Sequence, residues 1–170
     1  MYRFASFPSP VGCLTAITDG NHLLSLRING QKHGIAPYGE TLTENPSDQI
    51  LIHTRDWLGR YFAGKCPSPT ELPLAPQGSP FRQTVWKYLL EIPYGEVTTY
   101  GDIAAHVAKD LGKAAMSAQA VGGAVGHNPI SIIIPCHRVI GAKGALTGYD
   151  GGVEIKKYLL THEGYTYFTE

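Results

Sequence analysis

The 170-residue sequence has little charge: Asp, Glu, Lys and Arg make up 16% of it, and 14 basic residues balance 14 acidic ones. Apolar residues make up 43%, which is enough for a hydrophobic core and excludes an intrinsically disordered protein. The zero net charge excludes a protein that binds nucleic acid mainly through an excess of basic residues. This length fits one domain or two small ones.

Long apolar runs are also missing, since none approaches the roughly 18 to 20 residues of a membrane span. The first ten residues, MYRFASFPSP, include two prolines and no apolar signal-peptide segment. We therefore expect a cytoplasmic protein that has no membrane partner.

Cysteine is scarce, and the three present, Cys13, Cys66 and Cys136, are widely scattered. An odd number of cysteines in a chain with no signal-peptide pattern argues against a disulfide framework. No CxxC pair occurs, and the seven histidines form no HxxxH or HExxH pair. Motifs of local metal ligands are thus absent, and the question becomes which cysteine is chemically special.

The first half of the chain predicts a sheet followed by a helix. Residues 2–7, 13–18 and 23–28 are β-rich, and Asp19-Gly20 predicts a hairpin between the last two. Residues 29–45 predict a loop with room for one more strand. A helix is expected after Asn45-Pro46 and before Gly64, with an apolar face made of Leu51, Thr54, Leu58, Tyr61 and Phe62.

Proline marks the boundary between two halves. Residues 66–80 contain five of the twelve prolines, which is incompatible with a central strand or a helix interior. We expect an N-terminal domain over residues 1–77, including this linker, and a C-terminal domain over residues 78–170.

The second half predicts four helices and a strand. Ser79 and Pro80 begin a helix with Phe81, Val85, Trp86, Leu89 and Leu90 on its apolar face. Thr99 begins the next helix, with Ile103, Ala104, Val107 and Leu111 facing inward. A third helix covers about 117–125, a strand covers 130–134, and the last helix, 153–162, packs Ile155, Tyr158 and Leu159 inward. The second and third helices predict either a helix-turn-helix or an ordinary helical hairpin.

Cys136 follows four apolar residues and a proline and precedes His137 and Arg138. A thiol becomes a strong nucleophile when it ionises, and adjacent positive charge favours the thiolate. His137 is a candidate base, to be held in one tautomer by a carboxylate. From these residues alone, a core cysteine beside a surface histidine is the more common arrangement for an arbitrary Cys-His pair and is the favoured interpretation.

The run Pro135-Cys136-His137-Arg138-Val139 resembles the active-site motif of the O6-alkylguanine-DNA alkyltransferases, the methylated-DNA–protein-cysteine methyltransferases. The resemblance extends in order and spacing from about Gly78 to Gly164, through FRQTVW (81–86), IPYG (92–95), Tyr100 with Ile103-Ala104, AVG (120–122), NP (128–129), GY (148–149) and LLTHEG (159–164). The N-terminal half agrees with the family in outline.

The resemblance implies an α/β (α+β) protein. A small N-terminal ribonuclease-H-like sheet-and-helix domain would precede a mostly helical C-terminal domain with a helix-turn-helix. It also implies repair of DNA by transfer of the alkyl (methyl) group from O6-alkylguanine to Cys136, with O4-methylthymine as a further candidate substrate. The protein would be consumed in a single turnover, without a cofactor.

Roles for individual residues follow from the same resemblance. Cys136 would accept the alkyl group, His137 would act as its base through a water, and Glu163 would orient the histidine. Asn128 would support the turn that carries Cys136. Among substrate-binding residues, Tyr100 would donate a hydrogen bond to guanine N3, and Val139 and Tyr149 would line the base pocket.

Two positions depart from the family pattern. Asp150 stands where a serine is usual; it can still accept from the amino group of the base, but it repels phosphate. Gln119 stands where the family has an arginine that fills the space left by the flipped base.

The resemblance implies double-stranded DNA bound through the minor groove as the partner, with no obligate protein partner. The target base would be flipped out of the duplex, because its O6 group is unreachable within the stack. Residues 118–125 match the family's recognition helix, whose small side chains permit close backbone approach. The DNA-binding residues would be Ala118, Gln119, Ala120, Gly122 and Gly123. The cysteines and histidines of zinc-binding members are not reproduced, so we expect no metal.

Two other functions remain as alternatives. One is a non-catalytic protein that binds alkylated DNA and signals to other repair factors; relatives of that kind lack the cysteine. The other is a cysteine hydrolase, for which the sequence shows no oxyanion-hole motif.

Overall fold

The computed structural model describes residues 1–29, 42–146 and 148–167. It divides into two compact units: Met1–Gln77 with Pro129–Ser131, and Gly78–Asn128 with Ile132–Glu170. None of the described helices combines the length and the apolar character that crossing a membrane requires.

Unit 1 is built on a four-stranded sheet with the order β3-β2-β1-β4. The strands are β1 (Tyr2–Phe7), β2 (Leu14–Thr18), β3 (Leu23–Ile28) and β4 (Leu42–Glu44). The first three are antiparallel neighbours, as predicted, whereas β4 runs parallel to β1. The Asp19 carboxylate accepts from the amides of Asn21 and His22, which closes the predicted hairpin. Residues 30–41 of the expected loop lie outside the described residues.

One helix, α1 (Gln49–Phe62), packs its apolar side on this sheet. Asp48 caps its start by accepting from the amides of Ile50 and Leu51, and Gly64, at φ 82°, follows its end. The buried residues are Leu51, Thr54, Trp57, Leu58 and Tyr61. The predicted face is thus largely confirmed, except that Trp57 is buried and Phe62 is not.

The proline-rich segment is not wholly a linker. Pro69–Glu71 form a single 3₁₀ turn, and Leu74 pairs with Leu23 in an isolated parallel bridge at the edge of the sheet. Trp57 also donates from its indole to the Ser68 carbonyl at 2.8 Å. These contacts make the segment up to Gln77 part of unit 1.

The predicted strand over residues 130–134 is wrong. Ile130 makes one isolated bridge with Leu26 in unit 1, and residues 131–133 turn, with Ile132 in a left-handed conformation at φ 71°. All five residues are buried. Their apolar character thus reflects burial of an irregular segment, which a short apolar run cannot distinguish from a strand.

In the part of unit 2 that the structure describes, there are four α-helices and a two-stranded parallel sheet. The helices are α2 (Pro80–Leu90), α3 (Tyr100–Asp110), α4 (Ala118–Gly126) and α5 (Val153–His162), and the strands are β5 (Thr98–Thr99) and β6 (Val139–Ile140). Ser79, Thr99 and Ser117 cap the first three helices. The indole of Trp86 donates to the Ala124 carbonyl at 2.8 Å, which ties α2 to α4.

Three predicted inward positions of unit 2 are wrong. Leu90 and Leu111 are 38% and 41% exposed, because each lies at the end of its helix, beyond the packed turns. On α5, Tyr158 is 42% exposed, while Lys156, Leu159 and Leu160 are buried. Because a lysine lies on the buried face of α5, the pattern of apolar residues in the sequence predicts the wrong buried face for this helix.

Candidate active site

Cys136 begins a single 3₁₀ turn, Cys136–Arg138, directly after the buried irregular segment. Its amide donates to the Ile134 carbonyl at 2.8 Å, and the Asn128 side-chain amide donates to the same carbonyl at 2.8 Å. Both Cys136 and Asn128 are buried. Asn128 therefore helps to fix the backbone that enters the turn.

Glu163 lies at the centre of a buried hydrogen-bond cluster. Its carboxylate accepts from His137 Nε2 at 2.6 Å, from Arg138 at 2.7 and 3.1 Å, and from the Gly95 amide at 3.2 Å. Burial opposes ionisation of Glu163, but the hydrogen bonds from His137 and Arg138 and the positive charge of Arg138 outweigh it and hold the Glu163 pKa below its usual range. Glu163 is therefore an ionised acceptor throughout the neutral range.

The Arg138 guanidinium donates hydrogen bonds to the Glu163 carboxylate and not to Cys136. Its third nitrogen donates to the Ile92 carbonyl at 2.7 Å, and its guanidinium lies 5.7 Å from the centre of the Tyr94 ring. Through these contacts, Arg138 links the turn before β5, which contains Ile92 and Tyr94, to Glu163 at the end of α5. The sequence suggested that Arg138 charge would favour the Cys136 thiolate; the structure directs that charge to Glu163 instead.

His137 is fully buried, and burial lowers its pKa even though Glu163 pulls in the opposite direction. The ring is therefore neutral at pH 7. Because Nε2 faces an ionised carboxylate, it carries the proton of the neutral ring, which leaves Nδ1 with its lone pair. Within the described residues, Nδ1 is buried and has no hydrogen-bond partner. This geometry leaves Nδ1 available as a base.

The environment of Cys136 contains opposing influences. Burial is the largest and raises the pKa of the thiol, while hydrogen bonds from the side chains of Asn128 and Tyr149 and the positive charge of Lys156 lower it. The net direction is upward. A buried thiol of this kind is inert until a specific group accepts its proton.

Lys156 is the group that the sequence analysis did not identify. It is fully buried on α5, and its ammonium lies 5.9 Å from the centre of the Tyr100 ring. Burial lowers the Lys156 pKa to about 8, against the pull of a neighbouring Cys136 thiolate. The sequence indicates the burial of Lys156 only through its position, since it shares a helix face with buried apolar residues of α5.

The predicted substrate-binding residues fall in two environments. Tyr100, Tyr149 and Asp150 are partly exposed, while Val139 is fully buried in β6. Tyr100 opens α3 and packs beside α4, where a Cβ added to Gly122 would lie 3.9 Å from its ring. Tyr100 thus connects α4 to Lys156.

The predicted DNA-binding residues lie along α4, and the Ser117 hydroxyl caps this helix. Ala118, Gln119, Ala120 and Gly123 are exposed and Gly122 is partly so. Apart from Gln119, this surface has no side chain larger than a methyl group. Among the described residues, no three His, Cys, Asp or Glu side chains are grouped so as to hold a metal ion.

Comparison with known proteins gives the same assignment for both halves of the chain. Residues 80–165 match the model of the 6-O-methylguanine DNA methyltransferase DNA-binding domain, and residues 2–76 match that of its ribonuclease-like domain. The chain belongs to the 6-O-methylguanine DNA methyltransferase family. A curated relative from Haemophilus influenzae, named methylated-DNA–protein-cysteine methyltransferase, is 39% identical over 96% of this chain and 87% of its own.

Solved structures of this methyltransferase family have the same fold. The O6-methylguanine methyltransferase of Mycobacterium tuberculosis is 43% identical, covers 96% of this chain and 93% of its own, and superposes with a TM-score of 0.81. A crystal structure of the Mycobacterium tuberculosis protein OGT in complex with DNA is 42% identical over 95% and 91% of the two chains, also with a TM-score of 0.81. The expected fold class, a sheet domain followed by a mostly helical domain, is confirmed.

Proposed function

We propose that this protein repairs DNA by moving an alkyl group from O6 of guanine to the sulfur of Cys136. The observation that carries the proposal is the buried His137–Glu163 pair, 2.6 Å apart, whose histidine lies on the same turn as a buried thiol. Such an arrangement supplies a base at Nδ1 of His137 for a cysteine that burial otherwise keeps protonated.

In the proposed reaction, the Cys136 sulfur attacks the alkyl carbon in a direct displacement. The new C–S bond forms as the C–O6 bond breaks, and the electron pair of that bond goes to the purine. The thiol proton passes, through a water, to His137 Nδ1, and Glu163 stabilises the resulting imidazolium. Tyr100 transfers its phenolic proton to guanine N3, so that the purine leaves as a neutral species. The His137 imidazolium then releases its proton to solvent and the Tyr100 phenolate regains one, so that the purine has in effect received the thiol proton.

The product accounts for single turnover. A thioether between Cys136 and a methyl group has no leaving route under neutral conditions, so each molecule repairs one lesion. The same chemistry extends to O4-methylthymine as a second proposed substrate. Tyr149, Val139 and Asp150 are the proposed lining of the base pocket, where Asp150 accepts from the exocyclic amino group of guanine.

DNA recognition is proposed to use the exposed small-residue surface of α4 in the minor groove, with the damaged base flipped out. The DNA complex of the Mycobacterium tuberculosis relative supports DNA as the partner. Ala118, Ala120 and Gly123 would permit close approach of the backbone, and Gln119 would occupy the vacated base position.

A duplex that carries one O6-methylguanine tests the reaction directly. Intact-mass analysis of the wild-type protein is expected to show a single added methyl group, located on the peptide that contains Cys136. Cys136→Ala should abolish transfer while it leaves binding to the duplex largely intact, because the change removes the nucleophile and little volume.

Two exposed cysteines provide the internal control, since Cys13 and Cys66 are accessible to a non-specific alkylating reagent. A methyl group on either of them, or repeated turnover, would refute the assignment. Binding of the lesion with no mass change would favour the non-catalytic alternative.

A further inference from the structure

An open groove of about 490 Å³ lies beside α4 in unit 2, apart from the cysteine site. One wall is α3, which contributes Ala104 and Ala108, and the other is the connection to α4, which contributes Ala114 and Ala115. The groove ends at Ala118, the first residue of α4. Small side chains thus line this surface as far as α4, the helix that is proposed to enter the minor groove of DNA.

Two lysines, Lys109 and Lys113, line this groove, and none of its described lining residues is acidic. Two acidic residues of α3 are adjacent in sequence to lining residues: Asp102 follows Gly101, and Asp110 follows Lys109 and interacts with the Tyr88 hydroxyl, raising the pKa of that hydroxyl to about 12.

The backbone holds both lysines in place. Lys109 belongs to the last turn of α3, and Gly112 follows with φ 66°, a left-handed conformation that suits glycine. The Lys113 amide donates to the Ala108 carbonyl at 2.8 Å, and the Gly112 amide donates to the Lys109 carbonyl at 3.2 Å. This is the hydrogen-bond pattern of a Schellman motif, so Lys113 is fixed on the groove at its Cα.

We infer that this groove binds a DNA backbone phosphate next to the lesion, with Lys109 and Lys113 as the two cationic contacts. The inference rests on the proposed function and deepens it. Small walls let the bulky sugar-phosphate chain approach, and two ammonium groups on a described lining that includes no carboxylate complement its charge. The amides of Gln119 and Ala120 at the start of α4 already bond to Ser117, so the lysines supply the attraction.

A local patch of this kind is needed because the unit has no excess of basic residues. From Ser79 onward, eight basic residues balance eight acidic ones. Arg138 and Lys156 are buried in the cysteine site and cannot reach a phosphate outside it. Binding must therefore depend on where a few surface lysines lie.

The test compares Lys109→Gln, Lys113→Gln and the double variant with Lys87→Gln, an exposed lysine of α2 that does not line the groove. All are made in the full-length chain that also carries Cys136→Ala, so that the lesion persists. The probe is a labelled duplex with one O6-methylguanine, and the readout is the slope of log affinity against log salt. Each groove variant should make the slope shallower by about 0.9 and the double variant by about 1.8, with no change for Lys87→Gln.

A second measurement locates the phosphate. Neutral methylphosphonates placed one at a time along the duplex should weaken binding at one or two positions, and the double variant should lose that sensitivity. An unchanged slope in the double variant, or an equal change in Lys87→Gln, would overturn the inference and leave other partners for the groove. Methyl transfer by the wild-type protein is scored separately by mass, so a protein that transfers methyl but shows unchanged slopes refutes only the inference.

Discussion

At the residue scale, the chemistry depends on two neighbouring side chains, Glu163 and His137, of which the first is ionised and the second is neutral. Glu163 is ionised because four hydrogen bonds reach its carboxylate, and His137 is neutral because burial penalises its charged form. The thiol of Cys136 stays protonated for the same reason. His137, supported by Glu163, can therefore accept the proton of the Cys136 thiol when the sulfur attacks.

This arrangement predicts a bell-shaped dependence of the transfer rate on pH. Transfer requires neutral His137, and since burial lowers its pKa, the acid limb should have its midpoint below the usual histidine pKa of about 6.5. At the alkaline side, Lys156 loses its charge with a pKa of about 8, so the thiolate loses its counter-charge and the rate should fall above that pH. Single-turnover rates on one lesion duplex between pH 5 and 9.5 measure both limbs.

Two variants separate the limbs. Lys156→Met should lower the plateau, on the order of tenfold for one unit of thiol pKa, and remove the alkaline limb. Lys157→Met, the next residue of α5, should leave both unchanged. A wild-type rate that rises tenfold per pH unit throughout would show that the thiol ionises to solvent and that His137 is not the base.

Gln119 predicts a weakness on duplex DNA. A flipped base costs a few kcal/mol of stacking and pairing, and a side chain in the vacated space offsets part of that cost. Arginine fills more of the space and donates a charged hydrogen bond to the unpaired cytosine. Gln119→Arg should therefore speed duplex repair, and a gain of about 1 kcal/mol corresponds to a roughly fivefold faster single-turnover rate.

Single-stranded DNA with the same lesion is the first control, because less stacking is lost there and the gain should be smaller. Gln83→Arg on α2 is the second, since it adds the same charge to an exposed site on another helix. If the duplex rate of Gln119→Arg is unchanged or slower, another side chain fills the gap, and Lys113 or Ser117 would be examined first.

At the scale of elements, the turn between α2 and β5 couples the sheet of unit 2 to Glu163. Gly95 adopts φ 82°, its amide donates to the Glu163 carboxylate, and an added Cβ would lie 3.0 Å from the Glu163 carbonyl oxygen. Both the dihedral angle and the contact require glycine. The turn therefore helps to hold the carboxylate in place.

Gly95→Ala should lower the free energy of unfolding by about 1 to 3 kcal/mol and slow methyl transfer, because the strained turn pushes against Glu163. Gly59→Ala in α1 is the matched control: nothing lies within 4 Å of its added Cβ and the site is helical, so it should stabilise by about 0.5 to 1 kcal/mol. Thermal and denaturant melting measure both. Equal stability of Gly95→Ala and the wild type would contradict this role for the turn.

The elements also show what the sequence can and cannot predict. Capped helices such as α2 and α3 follow from Ser79-Pro80 and Thr99, and the sheet follows from its hairpin, because those signals are local. The turn at Ile132 and the buried face of α5 depend on tertiary burial, which the sequence does not show. A short apolar run predicts a strand where the structure has a turn, and the buried Lys156 interrupts the apolar pattern of α5. Motifs shared with the family are enough to identify Cys136, His137 and Glu163 as candidates. The hydrogen bonds from Gly95 and Arg138 to Glu163 are visible only in the folded structure.

At the scale of the whole molecule, the balance of charge sets how DNA can be held. The chain has no net charge, and two basic residues of unit 2, Arg138 and Lys156, are buried. The remaining basic residues of that unit are few: Arg82, Lys87, Lys109, Lys113, Lys143 and Lys157. These six cations are dispersed over three helices, α2, α3 and α5, and two connections, so they cannot all face one duplex.

The wild-type protein should therefore release few counterions when it binds. Each neutralised phosphate contributes about −0.9 to the slope of log affinity against log salt, so roughly two to four contacts predict a slope between about −2 and −4. Fluorescence anisotropy of an undamaged duplex, titrated from low to physiological salt, measures it. Two scrambled duplexes of equal length are the control, because binding through the groove and the backbone should not distinguish them. A slope steeper than about −7, or a marked preference for one undamaged sequence, would mean that bulk charge or base-edge contacts dominate, contrary to groove binding by a neutral unit.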